Sequence, residues 1–483
     1  MLSMSCLAQK QDRIWIFGDH GGIDFRDTSN VTSFYSGLNG TQVKSSVVSI
    51  ADKQGNLLFY AAADQLRLQG TRVFNRNDAI MQNGDSLQGH PVFAQGLIIL
   101  PFPDDTSHFY IFQKTQNSSK TVFYYSIVDM NADGGLGGVI SKNNLIQTDS
   151  LTDRTTAVKH ANGRDWWLIV QRWDQDEYLK YLITPDGIQG PFRQQTANPK
   201  PKEEYYGTSR FSRSGNRLVS VGQYGNINLM DFDRCTGDIS NYQRIGENIF
   251  SNENGYFGCE FSPDEKVLYV GNIYPGPGKY IYQYDLTAPD IKASKQVINM
   301  YPDTGLLRYV QMGHILLGPD DKIYVCKGNG SGPNSITVYT QNIDVILNPN
   351  VIGTGCNYSS NYFYLNGGRK TYGLPNMVNY NLGAMVGSIC DSLNTGIKEQ
   401  NRRNQFVISP NPLSNWINIY KQDELIYEKN IDVSIFKSKG QILFGKSLHK
   451  NENSIQADFL KPGVYVLQIK TSKGVYSERF VKI

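Results

Sequence analysis

Clusters of charge are scarce in this sequence. Lysine and arginine total 47 and aspartate and glutamate total 44, which leaves a formal net charge of +3 over 483 residues. No block of basic residues stands out, whereas binding to a phosphate backbone needs a concentrated basic surface. We therefore expect no nucleic-acid partner.

Long apolar runs are also missing. The longest, GLIILPF at residues 96–102, is far shorter than the roughly 20 residues that a membrane-spanning helix needs. Hydrophobic residues make up 40% of the chain and charged residues 19%, which is the balance of a globular protein. The sequence thus predicts a folded core and no transmembrane helix.

The first residues, MLSMSCLAQKQD, resemble the end of a secretory signal peptide. Small residues around Cys6 and Ala8 are typical of a cleavage site, but a basic region and a full apolar segment do not precede them. We interpret residues 1–8 as the remnant of a signal peptide. A ragged cytoplasmic N-terminus is the alternative.

Cysteine is rare, with five residues beyond this segment. An exported protein can oxidise its thiols, and an odd number leaves at least one of them unpaired. Cys235 and Cys259 lie in successive copies of the repeat described below, so they form the first candidate disulfide. Cys326 and Cys356 form the second. Sequence alone fixes neither pair.

Catalytic motifs are absent from the sequence. It has no G-x-S-x-G nucleophile elbow, no phosphate loop ending in G-K-S/T and no H-x-x-x-H pair, and its six histidines are scattered. We therefore predict a protein that is not an enzyme and that has no cofactor. The alternative is a glycosidase whose paired carboxylates meet in a central channel, drawn from Asp52, Asp64, Asp104, Asp105, Asp264, Asp320 and Asp321.

One loop resembles the first half of a calcium site. Asp129, Asn131 and Asp133 place oxygen ligands at alternate positions before Gly134. The glutamate expected at the twelfth position is Ile140, and an ordinary glycine-rich turn accounts for the same residues. Calcium at this loop is thus one of two interpretations.

Aromatic residues and glycine are abundant, with 30 tyrosines, 22 phenylalanines and 46 glycines. Aromatic-rich strands broken by glycine turns are typical of an all-β protein. Four tryptophans, Trp15, Trp166, Trp167 and Trp173, are candidates for a sugar-stacking platform. Packing between β-sheets is the alternative role for these rings.

A pattern recurs about every 50 residues. An apolar strand end meets a short turn of Ser, Pro, Asp, Asn or Gly, and a second apolar strand follows. The copies lie at 50–60, 100–112, 158–170, 211–221, 261–271, 317–326 and, more weakly, 365–374.

A β-repeat of this length is typical of a four-stranded propeller blade. Seven copies predict a seven-bladed β-propeller over residues 9–390, with six or eight blades, or two stacked β-sandwiches, as alternatives. The strands at 13–18 and 22–25 precede the first copy. We expect them to pair with the last blade and close the ring, which removes exposed sheet edges.

The polar stretch 391–405 reads as a linker, and residues 406–483 predict a small antiparallel β-sandwich. Four pieces follow one another in it: the turn Pro410-Asn411-Pro412, Gly440 after a V/I-rich strand, the segment with Leu460, Gly463 and Tyr465, and Lys482 in the terminal strand. In this order they resemble the type A sorting domain of the Bacteroidetes type IX secretion system. Ser438-Lys439 before the middle glycine departs from the aspartate that the family often has.

Residues 13–382 are similar to secreted Bacteroidetes propeller-like proteins, through stretches such as WIFGDHGGIDF, YYSIVDMNADGGLGGV and YGLPNMV. Together the resemblances imply export through the periplasm to the cell surface or medium. They also imply the type IX translocon, with its outer-membrane shuttle or peptidase, as a partner. We expect a binding protein whose ligand is a surface glycan or protein; a structural part of a surface assembly is a further alternative.

Overall fold

Strands dominate the computed structural model, which divides the chain into two compact units, Met1–Thr395 and Gly396–Ile483. The division falls within the stretch 391–405 that the sequence marks as a linker. The structure describes residues 10–38, 45–64, 70–117, 120–173, 176–196, 205–246, 255–273, 278–302, 310–329, 338–391, 406–411, 413–421, 430–437, 442–449, 452–471 and 474–482. The expected signal-peptide remnant, 1–8, lies outside them.

Seven successive antiparallel sheets make up the described part of the first unit. The first has three strands, β1 (Ile14–Phe17), β2 (Gly21–Asp24) and β3 (Thr32–Tyr35). Six four-stranded sheets follow, each a meander of consecutive strands. The first three of them contain β4 (Val47–Ala51), β5 (Leu57–Asp64), β6 (Gly70–Asn75), β7 (Leu87–Gln88), β8 (Leu97–Pro101), β9 (His108–Asn117), β10 (Lys120–Asp129), β11 (Gly138–Asp149), β12 (Leu151–Lys159), β13 (Trp166–Arg172), β14 (Glu177–Thr184) and β15 (Gly187–Gln195).

The last three four-stranded sheets repeat the same order. Short helical turns lie at Asp133–Gly135, at Gly353–Cys356 and at α1 (Val338–Gln341). The strands are β16 (Ser209–Phe211), β17 (Arg217–Val221), β18 (Ile227–Phe232), β19 (Ile239–Arg244), β20 (Tyr256–Phe261), β21 (Val267–Asn272), β22 (Gly278–Asp285), β23 (Gln296–Pro302), β24 (Val310–Leu317), β25 (Ile323–Asn329), β26 (Asn342–Ile346) and β27 (Tyr358–Tyr364).

The sequence repeat corresponds to one turn in each four-stranded sheet. Six copies join the first strand of a sheet to its second, as 261–271 joins β20 to β21. Each of these turns has one residue in the left-handed backbone region, which aspartate and glycine tolerate best. Those residues are Gly55, Asp104, Gly163, Gly215, Glu265 and Asp321.

The first strand of each four-stranded sheet lies toward the middle of the unit. Strands β4, β8 and β20 are buried along their whole length, whereas the last strands β15 and β23 are largely exposed. Consecutive first strands contact one another from β4 through β8, β12, β16 and β20 to β24. This radial arrangement of meander sheets is that of a β-propeller.

Two expectations about ring closure are wrong. Strands β1 and β2 form a sheet of their own with β3 rather than joining the last sheet, because β24–β27 complete a four-stranded meander without them. The seventh repeat copy, 365–374, joins no two strands. Instead, Arg369 exchanges two backbone hydrogen bonds with Asp19, at 2.8 and 2.7 Å, and thus links the chain after β27 to the first sheet.

The second unit contains two antiparallel sheets around an apolar core. One sheet has the order β28–β29–β32 and the other β31–β30–β33–β34. Alternating side chains such as Ile431, Val433 and Ile435 are buried between them. The strands are β28 (Phe406–Ser409), β29 (Trp416–Lys421), β30 (Asn430–Lys437), β31 (Ile442–His449), β32 (Ser454–Gln456), β33 (Gly463–Thr471) and β34 (Gly474–Lys482).

Candidate functional site: a closed centre, a lateral cleft and an export motif

The chain fills the centre of its own propeller. Residues 365–391, here called the axial segment, leave β27 and run past the first strands of several sheets. The backbone N–H of His314 in β24 donates to the carbonyl of Tyr372 at 2.8 Å, and the N–H of Asn376 donates to the carbonyl of Val47 in β4 at 3.0 Å. The Tyr380 hydroxyl donates to the carbonyl of Ile99 in β8 at 2.9 Å.

Asn376 is the hub of this segment. Its side-chain amide donates to the carbonyls of Leu97, at 3.0 Å, and Thr155, at 2.9 Å. Its carbonyl oxygen accepts from the side chains of Gln95, at 3.0 Å, and Arg210, at 3.2 Å. The residue is 1% exposed, so its full hydrogen-bonding capacity is used away from water.

Charged groups around the hub serve the scaffold. Arg210 also donates to the carbonyl of Met377 at 3.1 Å, and its guanidinium lies 3.9 Å from the buried Glu260 carboxylate. Burial raises the pKa of Glu260 to about 7. Burial likewise lowers the pKa of His314 to about 3, so the ring is neutral; its Nδ1 lies 2.9 Å from the carbonyl of Leu374.

The carboxylates considered for a channel site lie instead in the repeat turns. Asp52 accepts from the backbone of Gln54 and Asn56, and Asp264 accepts from the backbone of Lys266, which are local turn contacts. The same turns contain Asp104, Asp105, Asp320 and Asp321, while the side chain of Asp64 lies outside the described residues. Among the described side chains of this set, the acids thus lie in the repeat turns and not in a shared central channel, and the glycosidase stays an alternative.

A disulfide fixes the end of the axial segment. Cys390 is bonded to Cys235, 155 residues away in the chain. The predicted pairs Cys235–Cys259 and Cys326–Cys356 are wrong, because Cys259 lies in β20 and Cys326 in β25, where both point into the core. Cys259, Cys326 and Cys356 are free and buried.

A small cleft opens beside the first strand of the fourth sheet. Its volume is about 90 Å³. It is lined by Phe93, Gln116, Thr121, Leu151, Asp153, Tyr205 and Tyr206. Four of these seven side chains are apolar or aromatic, and Asp153 supplies the single carboxylate among them.

Asp153 is held in place, but one of its oxygens is incompletely hydrogen-bonded. Its Oδ2 accepts from the N–H of Ala94 at 2.9 Å, whereas Oδ1 is buried and has no hydrogen bond of good geometry; the backbone N–H of Gly207 is the other donor near the carboxylate. The residue is 2% exposed. Burial raises its pKa well above the ordinary value, against the opposing effects of the Ala94 N–H and the charges of Arg154 and Lys114.

The aromatic side of the cleft is held by backbone bonds. The N–H of Asp153 donates to the carbonyl of Tyr205 at 3.1 Å, and the carbonyl of Tyr206 accepts from Gln223 at 3.1 Å. The ring of Tyr205 lies 4.5 Å from that of Trp173, and Tyr206 is 36% exposed. These rings and an incompletely hydrogen-bonded carboxylate oxygen make a surface suited to a ligand with both apolar faces and hydroxyl groups.

The four tryptophans of the expected platform do not form one surface. Trp15, Trp166 and Trp167 are at most 5% exposed and pack within the propeller, as with Trp166 against Tyr380 of the axial segment. Trp173 alone lies near the cleft. A signal for the cleft was present in the strand sequence TDRTTAV at 152–158, where the adjacent charged residues Asp153 and Arg154 lie in an otherwise uncharged, buried stretch.

The loop considered for calcium has local hydrogen bonds. Asp129 accepts from the N–H of Asn131 at 2.8 Å and lies 3.7 Å from the His108 ring, and Asp133 begins the short helical turn. Among the described residues, one group of three His, Cys, Asp or Glu ligand atoms lies within 4.8 Å, that of His160, Cys235 and Cys390. Calcium at Asp129, Asn131 and Asp133 stays one of the two interpretations of this loop.

In the second unit, the proline turn is bound to the last strand. Asn411 donates from its amide to the carbonyl of Arg479 at 3.2 Å and accepts from the N–H of Val481 at 2.9 Å. The N–H of Leu413 donates to the carbonyl of Val481 at 2.8 Å. Pro410 lies exposed in the same turn, and Pro412 is outside the described residues.

The L-x-x-G-x-Y segment meets the same strand. In the β33–β34 pairing, Gly463 lies opposite Lys482 and Tyr465 opposite Phe480. The Tyr465 hydroxyl donates to the carbonyl of Lys461 at 2.7 Å, and Leu460 is buried. Three motif pieces that are far apart in sequence thus converge on β34, while the fourth, Gly440, lies outside the described residues.

The second unit matches a known family. Residues 407–483 match the model for the secretion system C-terminal sorting domain. Residues 407–483 are a type IX sorting domain. Proteins that carry this domain are secreted by the type IX system to the cell surface or the extracellular space, so the predicted location is confirmed. No curated protein matches the chain.

Several solved structures are similar to the propeller unit at low identity. A candidate 6-phosphogluconolactonase from Bacteroides uniformis shares 13% identity at a TM-score of 0.41, covering 69% of this chain and 92% of that one. Hsv2 from Kluyveromyces lactis shares 10% identity at a TM-score of 0.33, and the match covers 69% of this chain and 92% of that one. The Cps50 (Swd1) propeller domain of Myceliophteria thermophila shares 11% identity at a TM-score of 0.31, and the match covers 63% of this chain and 82% of that one. The propeller assignment itself rests on the sheet order described above.

Within the residues that the structure describes, no helix has the length and apolar character needed to cross a membrane.

Proposed function

We propose that this exported propeller is a binding protein that holds a polyhydroxylated ligand, a surface glycan, at the lateral cleft. The observation that carries the proposal is the buried Oδ1 of Asp153, which has no hydrogen bond of good geometry and lies beside the rings of Tyr205 and Tyr206. A buried carboxylate oxygen that is incompletely hydrogen-bonded is costly, and a ligand hydroxyl would supply a well-aligned donor.

The size of the cleft favours recognition of one part of a larger ligand. Sites that enclose a whole small molecule usually have roughly 300–1,000 Å³. At about 90 Å³ the cleft takes one group, while the exposed face of Tyr206 offers area for the next sugar ring. A glycan chain meets both demands, because each ring has an apolar face and hydroxyl donors.

The composition of the cleft supports binding rather than hydrolysis. A glycosidase uses two carboxyl groups about 5–10 Å apart across the scissile bond. Among the cleft-lining residues, Asp153 is the one acid. The axial segment occupies the position at which a propeller channel would gather a second acid.

Substitution of Asp153 tests the site. We expect Asp153→Asn to weaken binding to the best ligand of a glycan array by about 10–100-fold, since hydrogen bonds to charged groups contribute roughly 1.5–3 kcal/mol. Tyr206→Ala, at a more exposed position, should weaken the same interaction without disturbing the core.

The matched control is Asp186→Asn, which removes an exposed carboxylate from the β14–β15 turn of the same sheet. It should bind as the wild type does. The proposal is wrong if the array retains no glycan, or if Asp153→Asn and Tyr206→Ala bind as tightly as this control.

Binding should depend on pH. A ligand hydroxyl donates to the ionised carboxylate, and burial raises the pKa of Asp153 to about 7. The charged form is therefore favoured above that pKa, and affinity should rise between about pH 6 and pH 8. Lys114, Arg154 and Tyr206 are the other titratable or charged groups near Asp153.

Titration of glycan affinity by calorimetry from pH 5.5 to 8.5 measures this dependence. Asp153→Asn should flatten the curve. A curve that falls with rising pH, or one that keeps its slope in the variant, would assign the effect to another group and contradict the role given to Asp153.

A further inference from the structure

The far end of the axial segment is much more exposed than the part that precedes it. Most residues from 370 to 380 are buried among the first strands of the propeller. Beyond them, Val386 is 88% and Ile389 is 91% exposed. Two hydrogen bonds join this end to the sheets. Arg234 donates to the carbonyl of Gly383 at 2.6 Å, and the N–H of Met385 donates to the carbonyl of Ala161 at 2.8 Å.

The position of the disulfide in the chain is significant. Cys390 lies next to Asp391, the last described residue of the propeller unit, and the sorting domain follows from residue 407. Any pull on the sorting domain, or any cut before it, therefore acts on the axial segment from this end. The bond to Cys235 lies between that end and the hub at Asn376.

We propose that the Cys235–Cys390 disulfide is a lock that keeps the axial segment seated when its C-terminal end is pulled or cut. The lock anchors the segment to the β18–β19 connection, which belongs to a four-stranded sheet. Tension from the sorting domain then ends at Cys235 and does not reach Asn376. The proposal rests on the disulfide and on the export signal, and is independent of the glycan site.

The lock closes only outside a reducing compartment. The two thiols lose two protons and two electrons as the S–S bond forms. A disulfide oxidant takes up these protons and electrons by thiol–disulfide exchange and is itself reduced to two thiols. The other described cysteines do not compete, because Cys259, Cys326 and Cys356 are buried. Burial also raises the pKa of Cys259 to about 12 and that of Cys326 to about 11, which keeps these thiols protonated and unreactive.

Hydrogen exchange on the oxidised full-length chain tests the lock. With dithiothreitol, we expect backbone exchange in residues 381–391 to accelerate about tenfold or more, because the hydrogen bonds that remain there are local or lie at an exposed surface. Exchange around Asn376 and in strand β8 should stay slow. The double variant Cys235→Ser/Cys390→Ser should show the fast pattern with or without the reductant, which excludes an effect of the other thiols.

Two outcomes would overturn the proposal. If exchange in 381–391 is the same in both redox states, the hydrogen bonds of Gly383 and Met385 hold the segment without the disulfide. If reduction accelerates exchange in all sheets together, the bond is a global cross-link and not a local lock. Neither outcome bears on glycan binding at Asp153.

Discussion

Asn376→Ala should lower the free energy of unfolding of the propeller unit by about 3–5 kcal/mol. The substitution removes two donated and two accepted hydrogen bonds at once. It leaves the carbonyls of Leu97 and Thr155, and the side chains of Gln95 and Arg210, short of a buried partner. The largest part of the loss should come from Arg210, since an under-compensated buried charge is more costly than a neutral group.

Urea unfolding followed by near-ultraviolet circular dichroism measures this loss. Asn379→Ala is the matched control, because it changes the same residue type three positions along the same segment. The Asn379 amide donates one partly exposed hydrogen bond, to the carbonyl of Arg213 at 2.8 Å, and should cost about 1 kcal/mol or less. Equal losses in the two variants would mean that the centre is not organised around Asn376.

Deletion of residues 406–483 should abolish delivery to the cell surface and medium. Residues 407–483 are the sorting domain, and the propeller has its own core, so the passenger should still fold and accumulate inside the cell envelope. A smaller change, Tyr465→Ala, should reduce export in part, because it removes a buried ring that stacks on Phe480 of β34 at 5.7 Å.

Cell fractionation with quantitative mass spectrometry detects this defect. Full-length Asp153→Asn is the control, since its change lies in the cleft and leaves the sorting domain intact; it should reach the surface in wild-type amounts. Surface delivery of the truncated chain would show that another part of the protein directs export.

Repeated local patterns made much of the fold predictable. Each turn such as 261–271 carries its own hairpin chemistry, so six sheets could be located from sequence, and the left-handed residue is aspartate or glycine in five of the six turns and Glu265 in the other. The sorting domain was equally accessible, because its alternating strands and motif residues are local features. Asn411 and Gly463 both lie against β34, the strand that contains Lys482.

The centre of the propeller could not be predicted in the same way. The axial segment makes contacts across long sequence separations, such as Asn376 with Leu97, and its own residues carry no strand periodicity. The Cys235–Cys390 pairing depends on where this segment emerges, which no spacing rule provides. Nearness along the repeat suggested Cys259 instead, but burial in β20 removes it from reach.

The candidate site was missed for a related reason. Asp153 lies in a buried strand, whereas the acids considered from sequence lie in turns, where their side chains satisfy the local backbone. Asp153 and Tyr206 at the cleft combine an incompletely hydrogen-bonded carboxylate oxygen with a partly exposed ring.

Hydrogen exchange with and without the best ligand from the glycan array tests the central claim most directly. A closed propeller that binds a glycan at the lateral cleft predicts protection in residues 151–156 and 205–208 and no change in residues 369–380. Protection or release of the axial segment would instead place the ligand in the propeller centre. That result would contradict both the site and the closed channel.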